Sequence, residues 1–131
     1  MKYLLDTSVL IHSLISKPRL NQRSLALLSG KTSGLYLSAV SSWEIVIKVG
    51  TGKLFLPERP AVFVNRAIGL MAIQPLHITH QHALELEELP LMHRDPFDRM
   101  LIAQARTERM VLLTADRIFQ SYEVEQEYCG L

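Results

Sequence analysis

Short apolar runs alternate with longer helical patterns along this chain, and that alternation predicts an α/β fold. Lys2 to Leu5, Leu35 to Ser38 and Met110 to Thr114 are too brief for helices and suit buried strands. Ala72 to Leu76 is a fourth apolar run, but Pro75 removes a ladder donor and confines it to a sheet edge. Val124 to Tyr128 supplies a last edge strand. Helical spacing marks Val9 to Ile15, Leu20 to Leu28 with Leu25 and Leu28 facing inward, Ser41 to Lys48, and Ala61 to Leu70 after Pro60. Pro18 breaks the first of these, Ser29-Gly30-Lys31 closes the second, and Gly50 and Gly52 end the third. Trp43 is expected in the core. Thr79 caps a further helix with Leu84, Leu86 and Leu89 as its apolar set and Glu85, Glu87 and Glu88 as its solvated face. Strands separated by helices of this length imply a mainly parallel, doubly wound sheet with helices on both faces.

The stretch His93 to Ala105 has the grammar of a helix start. Asp95 fits the N-cap, Pro96 the first helical position, and Asp98 the first turn, where free N–H groups and the helix dipole favour a carboxylate. Met100-Leu101-Ile102-Ala103 follows, a run suited only to a buried helix. Asp98 therefore sits where a packed helix opens outward. The chain has only four aspartates against nine glutamates, and Asp6, Asp95, Asp98 and Asp116 all fall at predicted strand ends or helix starts. Asp6 ends the first strand, and Asp116 follows Thr114 and caps a short helix over Ile118 to Tyr122. Each acid also has a plain structural reading. Asp6 and Asp98 suit caps, while Glu44 completes a capping box with Ser41 and pairs with Lys48 one turn on.

In doubly wound sheets ligands bind outside the carboxyl ends of the strands. Asp6, Glu44, Asp98 and Asp116 can all reach that edge. Two carboxylates ~4 Å apart repel by roughly 4 kcal/mol at an effective dielectric of 20. A cap contributes about 1 kcal/mol, so capping does not justify such a cluster, and a cation does. An all-carboxylate site suits Mg²⁺ or Mn²⁺ rather than zinc. Cys129 is the sole cysteine, and His77, His80 and His82 do not share a helix face, so no zinc spacing is present. The chemistry that follows is metal-assisted phosphodiester hydrolysis.

Composition narrows the setting. With 131 residues, 48% apolar and 21% charged, the chain suits one compact domain over residues 1–131 without repeat or linker. A net charge of +1 gives no global basic field, so any grip on nucleic acid must be local. Arg94, Arg99 and Lys48 are candidates to hold phosphates near the acids, with a solvated rim as the plainer alternative. The start lacks signal-peptide character, and no apolar run approaches the ~20 residues of a membrane helix, so a reducing cytoplasm is expected.

Four segments together resemble a PIN-domain ribonuclease: Asp6 to Leu10, Ser41 to Leu54, His93 to Ala105, and Leu113 to Asp116. Within that fold the chain is similar to the VapC toxins of bacterial type II toxin–antitoxin modules. The resemblance spans almost the whole chain in order. It implies a five-stranded parallel sheet flanked by helices, and Mg²⁺- or Mn²⁺-dependent cleavage of RNA. It also implies a toxin homodimer silenced by a small VapB-type antitoxin. Carried over, Asp6 and Asp98 are the main metal ligands, Glu44 the acid of the third-helix segment, and Asp116 the fourth acid. Thr7, Ser8 and Thr114 match hydroxyl positions that orient those acids, and Asp95 is retained as a cap. The mechanism this suggests would have a water, its deprotonation eased by the ion, attack an RNA phosphate in line, and the resemblance implies 5′-phosphate and 3′-hydroxyl ends. The alternatives are a catalytically silent binding module of this fold or a DNA nuclease with the same acids. A phosphoacceptor domain is disfavoured because Thr7 and Ser8, not a second acid, follow Asp6.

Overall fold

The computed structural model describes residues 1–30 and 34–131. Five strands form one sheet in the order β3-β2-β1-β4-β5: β1 (Lys2–Leu5), β2 (Gly34–Ser38), β3 (Gln74–Leu76), β4 (Val111–Thr114) and β5 (Gln126–Tyr128). Every pairing is parallel. The chain winds outward from β1 through β2 to β3, then returns to lay β4 and β5 on the other side. β1 and β4 therefore flank the topological switch point, where a crevice opens beyond their carboxyl ends.

Successive residues of a strand point to opposite faces, so two cores form. Leu5 and Leu113 pack on one face with Val9 and Leu10 of α1 (Thr7–Ile15), Leu28 of α2 (Gln22–Ser29), and Phe63 and Ala67 of α4 (Pro60–Leu70). Leu4 and Leu112 pack on the other with Leu101, Ile102 and Ala103 of α6 (Pro96–Glu108), together with Phe119 and Tyr122. α3 (Ala39–Gly50) reaches both cores, through Ile45 on the first and Val40 on the second. Leu101 and Ile102 are fully buried, which stabilises the anchoring of α6 by about 1.5–3 kcal/mol for each side chain. Among the described residues no helix is long and apolar enough to cross a membrane.

Local sequence errs in instructive places. α3 begins at Ala39, directly after β2, because Ser38 accepts from the Val40 N–H at 3.0 Å. The earlier serine takes the cap, so Ser41 and Glu44 form no capping box and Glu44 lies inside the helix. Val40, Ser41, Glu44 and Ile45 make the buried stripe of α3. Trp43 falls off that stripe, 56% exposed, with its ring edge-on to Phe97 at 5.0 Å, and is not a core residue. Leu84 is 69% exposed rather than packed, because the inward face of the six-residue α5 (His80–Glu85) carries His82. His82 completes a capping box with Thr79, its Nδ1 accepting from the Thr79 N–H at 3.1 Å. Nε2 then carries the proton and donates to Glu108 at 2.7 Å. α2 starts at Gln22 because Asn21 caps it, accepting from the Ser24 N–H at 2.9 Å. Lys31, the last residue of the expected close of α2, lies outside the described residues.

Candidate active site

β1 delivers Asp6 to the switch point. Its N–H continues the ladder to the Leu113 carbonyl at 2.8 Å, and its side chain, 4% exposed, turns into the crevice. Thr114 at the end of β4 and Ser8 in the first turn of α1 both donate to Asp6 Oδ2, at 2.8 and 3.1 Å. Asp6 Oδ1 accepts no hydrogen bond among the described residues. Asp98 arrives from the opposite core on the first turn of α6. Asp95 caps that helix, its Oδ1 accepting from the Phe97 and Asp98 N–H groups at 2.9 and 3.2 Å. The Asp98 side chain is held from one side only: His93 Nε2 lies 2.8 Å from its Oδ2.

Glu44 comes from the buried stripe of α3. Thr7 donates to its Oε1 at 2.7 Å, and Lys48, one turn on, pairs with Oε2. Asp116 is exposed at the rim, where its Oδ1 accepts from the Ile118 N–H at 3.0 Å and caps a short 3-10 turn, Arg117–Ser121. Asp6, Glu44, Asp98 and Asp116 thus line one cleft of about 540 Å³, together with Thr7, Ser8, Lys48 and Asp95. Thr114 lies beneath it, bonded to Asp6.

Convergence leaves an electrostatic mark. Burial, then the nearby Asp98 and Glu44 charges, push the Asp6 carboxyl up to about 7 from its ordinary 3.8, against the lowering effect of the Thr114 and Ser8 hydroxyls. Burial also lifts Asp98 to about 6, with Asp95 and Glu44 adding to the rise and the His93 hydrogen bond opposing it. Lys48 is held above its ordinary value, chiefly by its bond to Glu44. Burial is the larger cause for both acids, and repulsion from the neighbouring carboxylates adds to it.

Of the three cations named as candidates to hold phosphates, Lys48 lines the cleft and the other two do not. Arg99 points back along its own helix and donates to the Pro90 carbonyl at 2.8 Å and to the Tyr122 hydroxyl at 3.2 Å. Arg94 is exposed and does not line the cleft. Lys53 and Arg117 line it instead, neither engaged by a carboxylate among the described residues, and the Arg117 guanidinium lies 4.1 Å over the Tyr128 ring. His93 is the other residue not foreseen, and it qualifies the expectation of an all-carboxylate site. Candidate ligand atoms of His93, Asp95 and Asp98 lie within 4.8 Å of one another. Position in a loop gave His93 no periodic signal.

The PIN domain family matches residues 3–125. The chain belongs to the PIN domain family. PIN domains are in general nucleases, and PIN nucleases in general use divalent metals. Solved structures similar to this PIN domain include VapBC2 from Rickettsia felis bound to a DNA fragment from their promoter, with a TM-score of 0.76 and 17% identity, covering 99% of this chain and 100% of that one. DNA-bound VapBC from Salmonella typhimurium gives a TM-score of 0.69 and 21% identity, covering 98% of each chain. VapBC-1 from nontypeable Haemophilus influenzae gives a TM-score of 0.66 and 18% identity, also covering 98% of each chain. At these identities the likeness is one of fold. Among curated proteins, none matches the sequence significantly.

Proposed function

We propose that this PIN domain, one domain over residues 1–131, is a divalent-metal-dependent endoribonuclease. In the cell it is the toxin of a type II toxin–antitoxin pair. The observation that carries the reading is the convergence of Asp6, Glu44, Asp98 and Asp116 on one cleft at the switch point. The donor set fits a hard cation. Asp6 and Asp98 each have Oδ2 held by hydrogen bonds, while neither Oδ1 accepts one among the described residues. Both carboxyls hold protons more tightly than usual, as expected of buried carboxylates set close to one another. Asp6 and Asp98 would hold the ion, with Glu44 and Asp116 beside them. When bound, Mg²⁺ or Mn²⁺ supplies Lewis-acid polarisation of a phosphate and eases deprotonation of the attacking water.

The chain's own residues do the rest. Thr114 and Ser8 keep the Asp6 carboxylate in one rotamer, and Thr7 with Lys48 does the same for Glu44. A carboxylate beside the scissile phosphate orients the water and accepts its proton. Lys53 and Arg117 at the rim hold flanking phosphates. Arg117→Ala and Lys53→Ala should each raise KM for a single-stranded RNA several-fold with little change in kcat. Each should also flatten the salt dependence of RNA binding by about one unit of slope, measured by filter binding across a salt series.

The toxin role is supported by the likeness to VapBC complexes and implies a VapB-type antitoxin partner, a homodimer and a cytoplasmic site of action. Brief expression of the wild-type chain should arrest growth and generate new RNA ends, mapped by sequencing. The Asp98→Asn variant, expressed to the same level, should do neither. New ends that appear equally with both would count against the proposed activity.

A further inference from the structure

The segment Leu89 to Asp95 has no regular secondary structure, so its backbone groups need partners from elsewhere. One pair of side chains supplies many of them. The Tyr122 hydroxyl, on a side chain only 4% exposed, accepts from the His93 N–H at 2.8 Å and the Met92 N–H at 3.2 Å. Arg99 donates to that same hydroxyl at 3.2 Å, to the Pro90 carbonyl at 2.8 Å, and more weakly to the Leu86 and Leu89 carbonyls at 3.5 Å. A loop staple alone would end there. Here the stapled segment ends in an imidazole whose Nε2 meets Asp98 Oδ2 at 2.8 Å. Arg99 follows Asp98 directly in the chain, so the anchor of the loop and the acid it serves share one turn of α6.

We propose that Tyr122 and Arg99 are positioning residues that hold His93 against Asp98, and that His93 fixes the Asp98 carboxylate so that its other oxygen faces the ion. Against an ionised carboxylate, Nε2 must be the donor, so that nitrogen orients Asp98 and does not itself ligate the ion. The bond occupies Oδ2 and removes the rotation by which Asp98 would otherwise average over orientations. Partners that orient a ligand in this way typically contribute 10–100-fold to metal affinity. The proposal rests on Asp98 being a metal ligand, as argued above.

Mn²⁺ titration by calorimetry at fixed pH tests it, with far-UV circular dichroism in chelator confirming that each variant is folded. His93→Ala should weaken Mn²⁺ binding about 10–100-fold. His93→Gln, which keeps an N–H donor, should recover much of the loss. Tyr122→Phe, which leaves His93 and Asp98 in place and removes only the hydroxyl, should weaken binding about tenfold. In chelator, it should also speed exchange of the His93 imidazole N–H seen by NMR. Unchanged Mn²⁺ affinity in folded His93→Ala would overturn the proposal while leaving the nuclease reading intact. A wild-type protein that binds no Mn²⁺ would overturn the metal site itself and this inference with it. If Tyr122→Phe does not fold, His93→Ala and His93→Gln decide the outcome alone.

Discussion

Asp6→Asn should abolish nuclease activity and yet make the metal-free protein more stable. The amide keeps an oxygen to accept from Thr114 and Ser8, so the local packing survives. What disappears is a buried negative charge beside Asp98 and Glu44, the charge whose burial and crowding push the Asp6 carboxyl up to about 7. A ligand to a catalytic metal supports several kcal/mol of transition-state stabilisation, so cleavage should fall by about three orders of magnitude. In chelator near pH 8, the same variant should melt several degrees above wild type. A purely structural aspartate would give the opposite pair of results, a lower melting temperature with activity preserved in the folded fraction. Circular dichroism melting together with a gel-based cleavage assay separates the two.

Metal-free wild-type protein should lose stability as pH rises, unlike a protein held by ordinary salt bridges. Asp6 and Asp98 have folded-state pKa values raised from 3.8 to about 7 and about 6. A carboxyl raised in this sense contributes fully below its unfolded value, and that contribution is lost as pH climbs through the folded one. The window therefore runs from about pH 4 to about pH 7, with Asp98 finishing first. Both groups are nearly buried, at 4% and 9% exposure, so solvent screening takes little away. Between about pH 5 and pH 8 the loss should be on the order of 3 kcal/mol. That corresponds to a fall of roughly 10 °C in melting temperature for a chain of this size. Saturating Mn²⁺ at neutral pH should reverse most of it by mass action. Asp6→Asn should flatten the curve. A melting temperature indifferent both to pH across this window and to Mn²⁺ would mean that the acids do not crowd.

Features set by adjacent residues were legible in the sequence, and features set by distant ones were not. Asp95-Pro96 announces the start of α6 because cap, fixed φ and first-turn acid all act within four residues, and the structure has that start. The strand-edge position of Asp6 was equally local, since an apolar run simply stops there. Glu44 was ambiguous because Ser38 and Ser41 compete for one cap. The winner depends on where β2 ends, which its pairing with β1 and β3 decides. Trp43 misled because hydrophobicity alone does not say which stripe of a helix turns inward. From sequence Arg99 is only a candidate phosphate ligand, because its type suits phosphate, with a solvated rim as the alternative. Its actual partners, Tyr122 and the carbonyls of Leu86, Leu89 and Pro90, meet it only once the two cores have assembled. His93 carries no local signal for the same reason. Its approach to Asp98 depends on a tyrosine twenty-nine residues away in sequence.

The most direct test is cleavage of a 5′-labelled single-stranded RNA by purified protein in Mg²⁺ or Mn²⁺ and in EDTA, comparing wild type with Asp98→Asn of unchanged circular dichroism. Cleavage by the wild type alone, only with metal, and leaving 5′-phosphate and 3′-hydroxyl ends is the predicted result. Equal cleavage by Asp98→Asn, or cleavage that persists in EDTA, would contradict a metal-holding acid cluster at this sheet edge.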